Sequence, residues 1–350
     1  MIKQADSELS IMRAKATSFD IAYRAGVSQS TVSRALSGSS LVSEETRQKI
    51  QAIAKELNYK VDKNASNLRT QSSNTLALLL FEDPTSDDSN INPFFLSMLG
   101  SITRASAKAG YDLLVSFQQL SEDFHADFEE THKADGMILL GYGDFQTYEQ
   151  MLHRLVEQQT HFVMWGGEAN AGSSVSISCD NIQGGFDITH HLLQLGRKKL
   201  AFIGCASSSS PEFYDRYKGH CQALKAAGIK PLKRYQIDSD FTEDSGYQAA
   251  LSFIEKNPDI DGIVAACDLI AIGVIKALKE KGFAIPQDVS VVGYDDISIA
   301  RFTTPPLTTV QQDTNLAGSL LVESLVDLIN GNEVTTRVIA PTIIVRESCQ

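Results

Sequence analysis

From Thr75 to the carboxyl terminus, short apolar runs alternate with longer amphipathic segments, and this alternation narrows the folds open to the chain more than any other feature. The runs at 75–81, 111–117, 136–141, 161–165, 199–203, 262–266 and 289–294 are largely unbroken, as strands buried on both faces require. Between them, 94–109, 182–195, 213–227, 245–256, 269–281 and 314–330 have the length and pattern of covering helices. Strands separated by helices demand parallel pairing, because parallel neighbours need a long crossover. Ala109-Gly110-Tyr111 and Ala227-Gly228-Ile229 recur as helix-to-strand hinges at comparable places in successive halves. The chain is therefore expected to form an α/β core of two doubly wound lobes, with a ligand cleft at the carboxyl ends of their strands.

The first 70 residues follow a different pattern. Ser18 to Ala25 has helical character, opens on a serine able to cap a helix, and stops at Gly26, which is free to take a left-handed turn. In the next helix, at about 100° per residue, Val32, Ala35 and Leu36 fall on one side while Ser30 and Arg34 point the other way. Such a short, polar face ending in a guanidinium is what a helix entering the major groove of DNA needs. Arg34 can fork onto guanine O6 and N7, and Gln29 on its flank can pair with adenine or reach a phosphate. Ser43, followed by Glu44 and Glu45, opens a third helix, whose Ile50, Ile53, Ala54 and Leu57 can close a three-helix core on Val27, Val32 and Leu36. A helix-turn-helix pattern of nine residues also arises by chance. Charge adds a second argument: the net charge is −12, yet residues 1–70 hold 11 Lys plus Arg against 7 Asp plus Glu, and the remainder 20 against 36. A basic head on an acidic body suits a protein that touches phosphates with one end only.

The expected organisation is a flexible tail at 1–14, a helix-turn-helix DNA-binding domain at 15–60, a polar hinge at 61–74 and an effector-binding and dimerisation core at 75–350. The connector is too polar to fold alone, though residues around Ala65 and Leu68 are compatible with a helix. No apolar run approaches the roughly 20 residues that span a bilayer, and residues 1–30 lack a signal-peptide core, so a cytoplasmic protein without a membrane partner is expected. The five cysteines have no C-x-x-C spacing, which favours buried reduced thiols over a metal site. Gly141-Tyr142-Gly143 lacks the third glycine of a dinucleotide-binding turn, and adjacent His190 and His191 cannot face one site from a helix. Neither a cofactor nor a catalytic set is expected, so the chain is read as no enzyme.

Several segments carry a family resemblance: Ile21-Ala22, Ala25-Gly26-Val27-Ser28, Thr31-Val32-Ser33-Arg34, Val42-Ser43, Thr46-Arg47, Leu57-Asn58-Tyr59, Asn92-Pro93-Phe94-Phe95, Asp135-Gly136, Asp180-Asn181, Asp215-Arg216 with Gly219, the run from Asp288 to Asp296, and Pro306-Leu307-Thr308-Thr309-Val310. Together they resemble the LacI/GalR family of bacterial transcription regulators, from about Ala16 to the C-terminus. The resemblance implies a homodimer on a near-palindromic operator and a core like that of periplasmic sugar-binding proteins. It implies that Gln29, Ser30 and Arg34 read base edges, that Ser28, Thr31 and Ser33 contact phosphate or support that contact, and that Leu68 wedges into the minor groove from a hinge helix formed against DNA. In the cleft it implies Asp268 as the acid anchoring ligand hydroxyls or ring atoms, which could also cap the helix beginning at Leu269, and Arg216 as its cationic counterpart. Phe94, Phe95, Trp165, Asp180, Phe241 and Gln312 match positions in or beside the pocket; for Trp165 and the phenylalanines, core packing is the competing reading. Two departures stand out: Val61-Asp62 replaces the usual Pro-Asn at the hinge entrance, and Cys267 replaces the Asn before the cleft acid.

The expected function is a ligand-responsive repressor of sugar-utilisation genes. Aromatics with Asp, Arg and Gln suit stacking on sugar rings and hydrogen bonds to hydroxyls. Ser210 to Gly219 resembles family members linked to α-glucoside use. A purine or other metabolite is the alternative effector. A sugar-binding transport protein is the rival from another class, but it would need an export signal and has no use for residues 16–70. No leucine heptads follow Arg346, which favours a dimer over a tetramer.

Overall fold

A computed structural model describes residues 16–59, 72–81, 91–117, 123–141, 145–166 and 174–350. The chain divides into two compact units, Met1–Ser72 and Ser73–Gln350. The expected tail at 1–14 and hinge residues 61–71, with Leu68, Ala65 and Val61-Asp62, lie outside the described residues.

The smaller unit holds α1 (Ser18–Ala25), α2 (Gln29–Leu36) and α3 (Glu44–Glu56). The cap of α1 is Thr17 rather than Ser18. A reciprocal box needs the hydroxyl three residues before its acid, and Thr17 stands at that distance from Asp20. Gly26 takes the left-handed turn, with φ 69°. Ser28 caps α2 and Ser43 caps α3 through the amides of Thr31 and Thr46. Ile21, Val32, Ala35 and Ile50 are fully buried in a core that also takes in Ala22, Ala25, Val42 and Ala54, with Val27, Leu36, Ile53 and Leu57 against it.

The larger unit begins with β1 (Thr75–Phe81), α4 (Pro93–Ala109), β2 (Asp112–Phe117), β3 (Gly136–Gly141), α5 (Phe145–Glu157), β4 (Phe162–Trp165) and β5 (Val175–Cys179). It continues with α6 (Asn181–Gln194), β6 (Leu200–Ile203), α7 (Pro211–Ala226), β7 (Gln236–Ile237), α8 (Glu243–Ile254), β8 (Gly262–Ala265), α9 (Asp268–Glu280), β9 (Ser290–Asp295) and β10 (Thr308–Gln311). Helix α10 (Thr314–Ile329) and strands β11 (Arg337–Ile339) and β12 (Thr342–Ile344) complete it. The strands form two six-stranded sheets, ordered β2-β1-β3-β4-β5-β11 and β7-β6-β8-β9-β10-β12. The first five strands of each repeat one doubly wound order, and all pair in parallel except β12, which runs antiparallel to β10. Gly110 and Gly228, with φ 86° and 74°, turn the chain at the same step of each lobe, as the two hinges predict.

The chain passes between lobes three times: from β5 to α6, from β10 to α10, and from β11 to β12. Helix α10 therefore returns to the first lobe, where it packs on α4 and on β3, β4 and β5. Seven expected strands and six expected helices are present, with ends shifted by a few residues. One expectation fails in kind: β2 is not buried, for Leu114, Val115 and Phe117 are exposed on this outermost strand. Strands β5, β7, β10, β11 and β12 and helix α5 were not legible as such. Ser176 and Ser178 interrupt the apolar run of β5 yet are buried, and the edge strands β7, β11 and β12 span only two or three residues each. Three of the cysteines are buried as expected, whereas Cys205, on the loop after β6, and Cys221, on α7, are partly exposed. All five are free thiols.

Candidate functional site

In the smaller unit, α2 turns Val32 and Ala35 inward, so Gln29, Ser30 and Arg34 are exposed together on its outer side. Ser28 caps the helix, and its hydroxyl lies 2.8 Å from those of Ser30 and Thr31, which fixes the first turn. Thr31 and Ser33 are half-buried. The amide of Gln29 donates to the Ser18 hydroxyl at 2.9 Å, tying this face to α1. Arg34 has no ion-pair partner among the described residues, leaving its guanidinium available to an anion or a base edge. Leu68, expected in the minor groove, lies outside the described residues.

In the larger unit the crossings bring the carboxyl ends of both sheets together, where doubly wound folds bind ligands. The lobes approach closely there: a Cβ on Gly166, just after β4, would stand 2.7 Å from Oε1 of Glu212 in α7. Arg216, on α7, is almost wholly buried and is held from three directions. Its Nε donates to Oδ1 of Asn181 at 2.9 Å, its Nη1 to the carbonyl of Ala266 at 2.6 Å, and its Nη2 lies 3.5 Å from Oδ1 of Asp295. Its guanidinium stacks over the Tyr294 ring, 3.8 Å from the centroid. Burial opposes the charge on Arg216, but Asp295 and its other neighbours outweigh it and hold the pKa above its ordinary value. For Asp295, burial wins over Arg216 and Gln312 and pushes the carboxyl up to about 6.

Gln312, expected at the pocket, lies on the second crossing and donates from Nε2 to Oδ1 of Asp295 at 2.7 Å. Asn181, Arg216, Asp295 and Gln312 thus form one chain of contacts joining two crossings through the second lobe. Asp180, also expected there, is exposed instead and caps α6 by accepting from the amide of Gln183 at 2.9 Å. Asp268 is the first residue of α9, not its cap; Cys267 holds the cap position without a side-chain bond. The enclosed Asp268 carboxylate turns away from the helix end, accepting from the Ile297 amide at 2.8 Å and the Thr309 hydroxyl at 2.5 Å. Burial first, then Asp295, raises its pKa well above the ordinary carboxylate value. Gly293 makes room for it, since a Cβ there would lie 2.2 Å from Oδ1.

The aromatic residues fall in two groups. Phe94 packs tilted on Phe95 and on Trp165, with centroids 5.6 and 6.0 Å apart, in the first lobe. Phe241 packs on Phe213, 4.9 Å away, in the second. Phe94 and Trp165 are buried, whereas Phe95 and Phe241 are half-buried. Asn181 and Asp295 were not assigned from sequence. An acid directly after a buried run at a strand's carboxyl end was the signal for Asp295; Asn181 had none beyond following Asp180. Asp295 and Asp296 both have positive φ, 108° and 52°, and non-glycine residues held so tend to mark functional sites.

Residues 19–62 match the model of "Bacterial regulatory proteins, lacI family", and residues 189–349 that of "Periplasmic binding protein-like domain". The chain is 31% identical to the HTH-type transcriptional regulator CelR of Thermobifida fusca, over 94% of this chain and 96% of that one. It is 30% identical to the ribose operon repressor of Escherichia coli (strain K12), over 90% and 93%. The solved complex of the transcriptional regulator CelR with cellobiose superposes with a TM-score of 0.71 at 30% identity, over 95% of this chain and 99% of that one.

Proposed function

This chain belongs to the LacI family of bacterial regulatory proteins, and on that premise we propose that it is a transcriptional repressor whose operator affinity is set by a sugar bound between its lobes. The observation that carries this reading is the linked set Asn181, Arg216, Asp295 and Gln312, a buried polar cluster at the meeting of two lobes and two crossings. A ligand hydroxyl that competes for Arg216 or Asp295 acts directly on the segments that set the angle between lobes. A ligand preferring one angle a hundredfold supplies about 2.7 kcal/mol per subunit.

In this reading Gln29, Ser30 and Arg34 contact bases, Ser28, Thr31 and Ser33 contact or support contact with phosphates, and Leu68 seats in the minor groove. Phe94, Phe95, Trp165 and Phe241 supply stacking surface, and Asp268, Arg216 and Gln312 the polar contacts, with Asp180 at the rim. The protein acts as a homodimer, for which the exposed apolar edge of β2 and Leu96 offer surface. A regulator of this kind needs no catalytic group. The cellobiose complex of CelR and the ribose operon repressor support a sugar as the ligand class. The narrower α-glucoside reading rests on Ser210–Gly219 alone, in which Ser210, Phe213, Arg216 and Gly219 are buried.

Calorimetry on the full-length protein, against mono- and disaccharides including α- and β-glucosides and against nucleobases, tests the ligand class. One sugar should bind and shift the gel mobility of operator DNA from the chain's own promoter region. Binding of a nucleobase with no sugar binding would replace the sugar by a purine; operator binding indifferent to every ligand would sink the regulatory reading.

A further inference from the structure

The turn that ends β9 is held by side chains arriving from all three crossings between the lobes. Asp295 closes β9 and Asp296 follows it, and positive φ at two successive aspartates persists only where the surroundings over-determine it. Gln312, on the second crossing, donates to Asp295, and Gln311, one residue earlier, donates from Nε2 to Oδ2 of Asp296 at 2.9 Å. The first crossing reaches Asp295 through Asn181 and Arg216. The third leads through β12 to Arg346, whose Nη2 donates to Oδ1 of Asp296 at 2.5 Å. We infer that Arg346 is a positioning residue for the ligand response: by fixing Asp296 it holds the neighbouring Asp295 carboxylate against Arg216, which ties the third crossing to the cleft. This role rests on the proposed part of Asn181, Arg216, Asp295 and Gln312 in passing ligand binding to the operator.

The guanidinium does more than a tether needs. While Nη2 meets Asp296, Nη1 donates to the carbonyl of Leu307 at 2.7 Å, so one planar fork bridges the turn after β9 and the residue before β10. The chain end is anchored without that fork. Strand β12 pairs with β10, and beyond Arg346 the Ser348 hydroxyl donates to the Val291 carbonyl at 2.6 Å and accepts the Thr308 amide at 2.8 Å. The backbone of Arg346 is therefore fixed on both sides, its own amide donating to the Thr308 hydroxyl at 2.8 Å.

Burial makes the pair matter. The Arg346 side chain is 15% exposed and that of Asp296 5%, so water screens their attraction far less than it would on the surface. Asp268 feels both Asp295 and Asp296, so three carboxyl groups crowd this end of the second lobe. Arg216 stands against Asp295 and Arg346 against Asp296. Freed from Arg346, Asp296 would be a buried charge held only by Gln311, and the turn that aims Asp295 would lose its firmest support.

Arg346→Lys keeps the charge and loses the fork, so it separates geometry from simple attraction. Carboxyl 13C NMR of the full-length protein labelled at aspartate, with Asp295 assigned by the signal missing from Asp295→Asn, reads the effect without DNA or sugar. In Arg346→Lys the Asp295 carboxyl should titrate about 0.5–1 pH unit higher than in the unaltered protein, because it stays covered but recedes from Arg216. With a panel of mono- and disaccharides as probes, the ratio of operator affinities with and without the sugar that binds should fall about tenfold in the same variant. A part confined to anchoring the chain end predicts a lower urea midpoint with both readouts unmoved, and that result overturns the inference. An unchanged or lowered Asp295 titration overturns it, and so does a raised titration with an undiminished ratio. If no sugar of the panel binds, the sugar reading fails, while the titration still decides whether Arg346 positions Asp295.

Discussion

The side-chain amide of Gln312 donates to the carboxylate of Asp295 at 2.7 Å, fastening a segment that crosses between lobes to the end of a strand in one of them. Because Asp295 also faces Arg216 at 3.5 Å, the crossing and the cation share one acceptor. Gln312→Ala is expected to change ligand affinity by only a few-fold while reducing the ligand's effect on operator affinity about tenfold, within the usual range of coupling energies. Operator titrations with and without saturating ligand measure this. An undiminished ligand effect would show that the crossing is held by other contacts.

Arg34→Ala should weaken operator binding by about 1–3 kcal/mol, relax specificity at one base pair and leave ligand binding intact. The unaltered protein should lose affinity steeply with salt, since phosphate contacts release counterions. Competition against operator variants checks the first; equal affinity of the variant and the unaltered protein for the operator would place the reading helix elsewhere.

Asp268→Asn should keep DNA affinity and lose the ligand's effect. The carboxylate is enclosed and accepts from Ile297 and Thr309, so the amide tests chemistry with little change of shape. Retention of full ligand response in the variant would limit Asp268 to a structural part.

Asp295 titrates near 6 in the folded protein and close to the ordinary value, about 3.9, when unfolded. As pH rises the unfolded chain releases this proton first, so it binds fewer protons than the folded state between about 4 and 6. Its contribution to stability therefore falls across that window and is level above it. Melting temperatures of the unaltered protein, measured relative to Asp295→Asn, should decline from pH 4 to 6 and stay flat to pH 8. A difference that instead widens in favour of the unaltered protein would mean the carboxylate is stabilised by ionisation.

Gly219 brings α7 onto α6: a Cβ there would lie 2.1 Å from the Ile182 carbonyl oxygen and 2.6 Å from the Phe186 nitrogen. Gly185 makes the reciprocal approach, 2.1 Å from the carbonyl oxygen of Arg216. Gly219→Ala is expected to cost about 3 kcal/mol, because backbone rather than a flexible side chain must yield. Urea unfolding reads the loss directly, and an unchanged midpoint would show that the helices separate freely.

Much of this was legible in the sequence for a simple physical reason. Strands such as 75–81 and 136–141 are buried on both faces, so their apolar character is unbroken and their ends are sharp. The second helix of the head was equally legible, because Val32 and Ala35 face a core while Ser30 and Arg34 face solvent. What escaped was decided by distant partners. Strand 175–179 hides two serines that only its neighbours bury, and strand 112–117 looks like a core strand but ends its sheet. In the site, Asp268 stands one residue past the cap position and takes its bonds from segments about 29 and 41 residues downstream. Asn181 gains its meaning from Arg216, and Asp295 from Arg216 and Gln312, partners that approach from other segments.

The triple passage of the backbone also constrains synthesis. Strand 337–339 completes the sheet that strand 75–81 begins, and helix 314–329 covers that sheet from near the end of the chain. A ribosome making this protein must therefore release almost the whole polypeptide before the earlier lobe can acquire its last layer. Premature stops anywhere upstream of residue 337 leave both halves unfinished, so no simple deletion from the carboxyl side can yield a self-sufficient lobe.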